Sequence, residues 1–283
     1  MPQSGYFRDT YKNLHYCDMH THTNHSIDGK CTPDEMCEAA ARLGLAAYNI
    51  SDHCDVNRDR ELHCYERSMA SIADALRLKA EYAGKMKVLV GIEIGNPHWN
   101  PQLAKKCAGI EGIDCITGSV HRILYDGEEL VTSAADFAAM TAERISGLII
   151  KYFEDIILML DTLRPDILAH PTYMFRYIVS KRHVKADISG YRKYTDAILK
   201  RIIREGTALE INTNLVTDRL ADYDIYLAER YYELGGRLVT LGSDAHTADR
   251  IANGFIPAAA ELKRIGFKNA CSIEERTIKC YKL

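Results

Sequence analysis

The chain has 283 residues, of which 47% are hydrophobic and 27% are charged. These proportions are ordinary for a globular protein, and the length is sufficient for a large buried core. The formal net charge of -3 provides no basic field that would recruit nucleic acid, so a nucleic-acid partner is not expected.

Cysteine usage and the apolar segments indicate the compartment. The nine cysteines are odd in number and contain no Cys-x-x-Cys pair, which is typical of reduced thiols in a cytosolic protein. The first residues lack the apolar stretch of a signal peptide. The most apolar long segment, 148–163, is too short and too charged to span a bilayer. We therefore expect a cytoplasmic protein without a membrane partner.

Seven short runs of apolar and β-branched residues predict strands. They lie at 15–20, 46–51, 87–94, 113–119, 166–170, 207–212 and 238–243. Such short, continuously apolar runs are typical of parallel strands that are buried on both faces.

Segments with helical spacing separate most of the strands. They lie at 65–84, 136–163, 190–205 and 221–235, with a first helix between Thr32 and Gly44 and a last helix from Pro257 to Gly266. Thr32 and Glu35 have the spacing of a capping box at the start of the first helix. Within 148–163, a stripe at i, i+4 spacing predicts a face that packs against the core: Leu148, Tyr152, Ile156 and Leu160.

The alternation of strands and helices predicts an α/β fold with a parallel sheet and right-handed crossovers. Seven strands favour a closed barrel over an open, doubly wound sheet, and the Gly-x-Gly-x-x-Gly fingerprint of the open alternative is absent. No linker or repeat interrupts the pattern, so we expect one domain spanning residues 1–283.

Residues with ligand-forming side chains follow the strands at their carboxyl ends. They are His20, His22, Asp52, His53, Glu93, His121, His170, Asn212, Asp244 and His246. Each one alone is more often structural than functional. Together they predict a site, because the carboxyl ends of parallel barrel strands meet on one face, where active sites lie.

The composition of this set indicates metal chemistry. Imidazoles and carboxylates without thiolates favour Zn, Fe or Mn over Ca or Mg. A zinc site takes about four protein ligands, so this many donors imply two or three ions, with a carboxylate such as Glu93 bridging them. Clustered ions activate a shared water and stabilise attacking and leaving oxygens, which suits hydrolysis of phosphate esters.

The ordered motifs resemble the polymerase and histidinol phosphatase (PHP) superfamily, and within it the histidinol-phosphatase branch. The motifs are Asp-x-His-x-His-Thr, Ser-Asp-His, Gly-Ile-Glu-Ile-Gly, Gly-Ser-Val-His and Gly-Ser-Asp-Ala-His, and the resemblance runs from about residue 17 to 268. It implies a distorted seven-stranded (β/α)7 barrel, similar to a TIM barrel, with a trinuclear metal centre.

The resemblance also implies the ligands of each ion. The first ion would bind His20, His22, Glu93 and Asp244; the second would bind Glu93, His121 and His170; the third would bind His53, His246 and Asp28. His25 is the alternative to Asp28, and otherwise a residue beside the ligands that faces the substrate. Asp18 or Asp52 would orient a metal-bound imidazole.

The implied reaction is attack on phosphorus by a hydroxide that bridges two metal ions. The leading substrate is L-histidinol phosphate, an intermediate of histidine biosynthesis, which would yield L-histidinol and phosphate. Arg176 matches a phosphate-binding arginine of the branch, Arg219 is a poorer match for a second one, and Asn212 is a further candidate for the substrate site.

Three alternatives remain at this point. The same centre would also suit a phosphoesterase that acts on nucleotides or nucleic-acid ends. An amidohydrolase-type barrel would require eight strands and usually a bridging lysine, where this chain has Glu93. A non-catalytic barrel would have lost ligands, whereas all nine predicted positions keep a competent side chain. The sequence does not indicate an oligomeric state.

Overall fold

The computed structural model describes residues 15–58 and 63–283. Its strands are β1 Cys17–Asp18, β2 Ala47–Ile50, β3 His53–Asp55, β4 Lys87–Gly95, β5 Cys115–Ser119, β6 Arg122–Tyr125, β7 Glu128–Val131, β8 Ile167–Leu168, β9 Ala208–Asn212, β10 Val239–Gly242, β11 Asn269–Glu274 and β12 Thr277–Lys282. The predicted domain 1–283 includes 1–14 and 59–62, which lie outside the described residues, so the assignment of one domain stays a prediction.

The central sheet is a parallel barrel. The strand order is β1-β2-β4-β5-β8-β9-β10, and every neighbouring pair is parallel. β3 continues the line of β2, since both segments pair with β4. Met19 N donates to Leu241 O at 2.9 Å and Thr21 bridges to Ala245, which brings the last strand against the first. The seven-stranded barrel is confirmed, and the open-sheet alternative is wrong.

Helices follow most of the barrel strands. They are α1 Pro33–Leu43, α2 Cys64–Glu81, α3 Pro101–Ala108, α4 Ala142–Leu163, α5 Tyr173–Phe175, α6 Arg192–Glu205, α7 Asp222–Glu233 and α8 Phe255–Ile265, and a π-helical stretch, Arg176–Lys181, continues α5. The predicted capping box is present: Thr32 Oγ1 accepts from Glu35 N at 3.2 Å, and Glu35 Oε2 accepts from Thr32 N at 2.8 Å. Gly44 ends α1 with a φ of 71°.

Some predicted boundaries were wrong. The helix predicted for 136–163 begins only at Ala142, because Thr141 caps it by accepting from Arg144 N at 3.2 Å. The last helix begins at Phe255, two residues before Pro257. The sequence did not predict α3 or the two antiparallel hairpins, β6–β7 and β11–β12.

The packing confirms the predicted core face of α4. Leu148, Tyr152, Ile156 and Leu160 are all buried. The barrel strands are also buried along nearly their whole length, as expected for parallel strands covered on both faces. Within 15–58 and 63–283, no helix has the length and apolar character of a membrane span.

Candidate metal centre at the carboxyl ends of the strands

His20 and His22 lie just beyond β1, where the extended backbone points both side chains to one side. Both residues are buried. The Nε2 atoms of His20 and His22 lie 3.5 and 3.8 Å from Glu93 Oε2. His22 Nε2 also lies 3.3 Å from Asp244 Oδ1. The structure therefore brings together the four residues predicted for the first ion.

Glu93 occupies the middle of the cluster, at the end of β4. Its Oε1 lies 3.0 Å from His170 Nε2 and 3.2 Å from His121 Nε2. Its Oε2 lies 2.6 Å from His53 Nδ1. The two oxygens of one buried carboxylate thus face different sets of imidazoles, which is the geometry expected of a bridging ligand.

Asp28 and His25, the two alternatives for the remaining position, lie in different places. Asp28 Oδ1 is 3.5 Å from His53 Nε2, and Asp28 Oδ2 is 3.3 Å from His246 Nε2. His25 Nε2 instead pairs with Asp74 Oδ2 at 2.8 Å. The geometry favours Asp28 and places His25 in contact with α2 rather than with the cluster.

The donor atoms fit divalent metal ions. Five groups of three donors each lie within 4.8 Å: His20–His22–Asp244, Glu93–His121–His170, His22–His53–His246, His53–Asp55–His121 and His20–His170–Glu210. Several buried inner atoms lie close to one another but at angles that form no hydrogen bond within the described residues: His20 Nε2, His22 Nε2, His53 Nδ1, Glu93 Oε2 and His246 Nε2. Because each unsatisfied buried polar atom costs about 1–3 kcal/mol, such a concentration is accounted for if metal ions bind between them.

Charges within the cluster shift its pKa values. Burial opposes ionisation of Glu93, but the surrounding imidazoles, His121 foremost, hold the pKa of Glu93 well below its usual range. Burial and the nearby charges of His53 and His246 lower the pKa of His22 to about 3. His22 is therefore neutral at pH 7, and a neutral imidazole has the nitrogen lone pair that a metal ion requires.

Glu210 is a central residue that sequence reasoning missed. Its Oε1 lies 2.6 Å from His20 Nδ1, and its Oε2 accepts from His170 N at 2.6 Å. Holding His20 by Nδ1 directs Nε2 of the same ring toward Glu93. The available signal was the alternation of β9, which places Glu210 and Asn212 on the same side of the strand.

We expect Glu210→Gln to weaken metal binding by about 10- to 100-fold. Each oxygen of Glu210 contacts one N–H group, that of His20 or that of His170, and a glutamine would place its NH₂ group, which cannot accept, against one of them. Competition with a chromophoric chelator measures the affinity. Glu111→Gln, an exposed glutamate, is the matched control. An unchanged affinity in Glu210→Gln would show that Glu210 does not orient His20.

Asp55 is a second residue that the sequence analysis did not select. Its Oδ1 lies 2.9 Å from His121 Nδ1, on the side of the ring away from Glu93. A Cβ on Gly95 would lie 2.0 Å from the same Asp55 oxygen. The last glycine of Gly-Ile-Glu-Ile-Gly therefore leaves the space in which Asp55 reaches His121.

Gly242, at the end of β10, leaves space for His20 and Glu210. A Cβ at this position would lie 2.1 Å from Glu210 Oε1 and 2.7 Å from His20 Cβ.

We expect Gly242→Ala to destabilise the protein by about 1–3 kcal/mol through overpacking and to reduce bound metal. Urea unfolding and elemental analysis measure the two effects. Gly190→Ala, whose Cβ would meet nothing within 4 Å, should change neither; equal behaviour of the two variants would contradict this account.

The carboxylate of Asp18 contacts backbone N–H groups and a hydroxyl group instead of the imidazole that it was predicted to orient. Its carboxylate accepts from Ser243 N at 3.0 Å, from Ser243 Oγ at 2.5 Å and from Ala252 N at 3.0 Å. Burial nevertheless raises the pKa of Asp18 to about 6. Asp18 thus ties the loop after β10 to β1, which supports the backbone that carries His20 and Asp244.

Asp52 reaches an imidazole only through a hydroxyl group. Its Oδ1 accepts from Thr23 N and from Ser26 Oγ, both at 2.6 Å. Ser26 Oγ in turn lies 3.2 Å from His22 Nδ1. The orienting role predicted for Asp52 thus has an indirect route through Ser26.

The predicted substrate residues lie beside the cluster, with one exception. Arg176 is buried, and its Nη1 donates to Asp244 Oδ2 at 3.0 Å while its Nη2 donates to Asn212 Oδ1. Arg176 and Asn212 therefore adjoin the donor set. Arg219 has an exposed side chain paired with Asp222 and lines the same cavity as Arg176 and Asn212, so its role in substrate binding stays a prediction.

A comparison with protein families identifies the class of protein. The PHP domain model matches residues 18–214, and the chain belongs to the PHP domain family. The matched range contains seven of the nine predicted ligands, up to His170, and it ends before the last two, Asp244 and His246.

Curated relatives cover most of the chain. It is 29% identical over 252 residues to a probable histidinol-phosphatase of Thermotoga maritima, spanning 89% of this chain and 93% of the relative. It is 26% identical over 260 residues to a histidinol-phosphatase of Lactococcus lactis subsp. lactis, spanning 88% of this chain and 91% of the relative.

Solved structures share the fold. Histidinol phosphate phosphatase from Lactococcus lactis subsp. lactis, crystallised with Zn, L-histidinol and phosphate, superposes with a TM-score of 0.74 at 20% identity, over 94% of this chain and 99% of that chain. A putative histidinol phosphatase from Listeria monocytogenes gives a TM-score of 0.66 at 16% identity, over 85% and 98% of the two chains.

Proposed function

We propose that this chain is a cytoplasmic, metal-dependent phosphomonoesterase that hydrolyses L-histidinol phosphate to L-histidinol and phosphate in histidine biosynthesis. The observation that carries the proposal is the buried cluster of imidazoles and carboxylates around Glu93, with the cationic Arg176 beside it. Relatives named histidinol-phosphatase or probable histidinol-phosphatase, which align over about nine-tenths of their length, support the choice of substrate.

The proposed cofactors are two to three divalent ions, chosen among Zn, Fe and Mn because the donors combine nitrogen and oxygen without sulfur. The residues that would hold them are His20, His22, Asp28, His53, Glu93, His121, His170, Asp244 and His246. Bound ions would supply a nucleophile at neutral pH and neutralise charge on the phosphate oxygens. Glu93 is the proposed bridge, because its two oxygens face different imidazoles.

Arg176 and Asn212 are the proposed phosphate-positioning residues. The guanidinium of Arg176 is fixed by Asp244 on one side and Asn212 on the other. A planar guanidinium held in this way presents its remaining N–H donors in a set direction, which suits a phosphate oxygen.

A substrate panel tests the proposal. Phosphate release from L-histidinol phosphate, mononucleotides and a 5′-phosphorylated oligonucleotide is measured with Mn, Zn and Fe. We expect the highest kcat/KM for L-histidinol phosphate. A higher value for nucleotides or nucleic-acid ends would establish the alternative phosphoesterase, and no turnover of any phosphoester would favour a non-catalytic barrel. The amidohydrolase alternative is disfavoured by the seven barrel strands and by Glu93.

A further inference from the structure

A large cavity opens beside the metal cluster. Its volume is about 910 Å³, and its lining includes Arg176 and Asn212, both of which contact Asp244. The same cavity is lined by three carboxylates, Asp187, Asp222 and Asp224. A substrate whose phosphate lies at the metal cluster would extend its organic part into this space.

Asp224 is the one of the three carboxylates that is half-buried and lacks an ion pair within the described residues. Asp222 is exposed and pairs with Arg219. Asp187 is exposed and accepts from Ser189 N at 2.9 Å and from Ser189 Oγ at 2.6 Å. Asp224 is half-buried, and no cationic side chain of the described residues lies within ion-pair distance of it.

The contacts of Asp224 leave one oxygen available. Thr172 Oγ1 donates to Asp224 Oδ1 at 2.5 Å, and Oδ2 has no hydrogen bond to any residue in 15–58 or 63–283. Burial raises the pKa of Asp224 to about 6, although hydrogen bonding to Thr172 and the charge of Arg176 act in the opposite direction. The carboxylate is still ionised at pH 7, and a bound cation would pair with it directly, which no side chain of the described residues does.

We propose that Asp224 is a specificity-determining residue that binds the ammonium group of the substrate, so that the enzyme selects phosphate monoesters of amino alcohols. The inference rests on the proposed function, because it takes the phosphate to lie at the metal cluster beside Arg176. Thr172 positions the carboxylate, and its place two residues after His170 brings it close to the metal ligands. L-Histidinol phosphate carries both the phosphate and the ammonium group that this arrangement recognises.

A matched pair of substrates tests the assignment on the full-length, metal-loaded chain. L-Histidinol phosphate is compared with 3-(imidazol-4-yl)propyl phosphate, which lacks only the ammonium group. We expect the wild type to prefer the aminated substrate by about 10- to 100-fold in kcat/KM, the range of a charge-assisted hydrogen bond of about 1.5–3 kcal/mol. In Asp224→Asn, which removes the charge at constant shape, the two kcat/KM values should converge through a higher KM for the aminated substrate.

Asp187→Asn is the matched control, because it changes an exposed carboxylate of the same cavity and should keep the preference. A preference that survives in Asp224→Asn would overturn the assignment. Equal kcat/KM values in the wild type would also overturn it, even if the variant failed to fold.

A result that rejects L-histidinol phosphate as the substrate can be distinguished from one that rejects the role of Asp224. If the wild type hydrolyses p-nitrophenyl phosphate but neither imidazole compound, the choice of L-histidinol phosphate fails. The pair 2-aminopropyl phosphate and propyl phosphate then tests Asp224 alone. A preference for the aminated member that is lost in Asp224→Asn supports the assignment, and equal turnover of the pair by the wild type overturns it.

Discussion

Replacing Glu93 with Gln is expected to reduce the turnover of L-histidinol phosphate by roughly 1000-fold or more. Glu93 contacts His53, His121 and His170 through its two oxygens, so a neutral amide would remove the charge shared by the proposed ions. Metal ions stabilise the transition state by several kcal/mol, and each 1.36 kcal/mol corresponds to a factor of ten in rate. Initial rates of phosphate release measure the effect.

The Glu93→Gln experiment needs a control variant and a check that the variant is folded. Glu111→Gln, at an exposed position, should keep wild-type turnover. Circular dichroism should show an intact fold in Glu93→Gln, because glutamine preserves the shape of the side chain. Turnover within a factor of ten of the wild type, in a folded variant, would contradict the bridging role of Glu93.

Removing the metal ions is expected to lower the thermal unfolding midpoint by roughly 10 °C. An ion present at 1000 times its dissociation constant stabilises the folded state by about 4 kcal/mol, and a protein of this size shifts by about 2–4 °C for each kcal/mol. Differential scanning fluorimetry of metal-loaded protein, chelator-treated protein and protein with metal restored measures the shift.

The metal-free chain should still fold. Burial disfavours a charged His53, but Glu93 outweighs burial and raises the pKa of His53 to about 9, so this imidazole is protonated at pH 7 and offsets part of the buried negative charge when no ion is bound. The shift should be much smaller in Glu93→Gln, which binds metal less well. Equal unfolding midpoints for metal-loaded and chelator-treated wild type would contradict a metal centre at this position.

The barrel and its donor face were predictable because both depend on local patterns. Short apolar runs indicated each barrel strand, and the carboxyl ends of parallel strands must share one face. His20, Glu93, His170 and Asp244 come from four different strands, yet the alignment of those strands alone brings them together.

The remaining residues of the site depend on contacts that no local pattern encodes. Glu210 lies inside a strand that reads as apolar, and its importance appears only when the side chain meets His20 and the backbone of His170. Asp55 follows His53 by two residues, but its partner is His121, which is 66 positions away. The resemblance favoured Asp28 and left His25 as the alternative ligand, and only the fold shows that His25 pairs with Asp74 on α2.

The two unpredicted hairpins have different explanations. Asp126 and Gly127 form the turn of β6–β7 with φ values of 52° and 79°, a recognisable Asp-Gly signal between short strands. Glu275 and Arg276 form the turn of β11–β12 with φ values of 49° and 60°, although neither residue favours that region. Asp114 accepts from Glu275 N at 2.9 Å, so a contact from the barrel holds this turn.

The dependence of activity on bound metal tests the proposed metal centre. Metal-free protein is titrated with Mn or Zn while phosphate release from L-histidinol phosphate is followed. A catalytic metal centre should give no turnover without metal and a rise to a plateau at two to three ions bound per chain, as determined by elemental analysis of the same samples. Full turnover by the metal-free chain would contradict it.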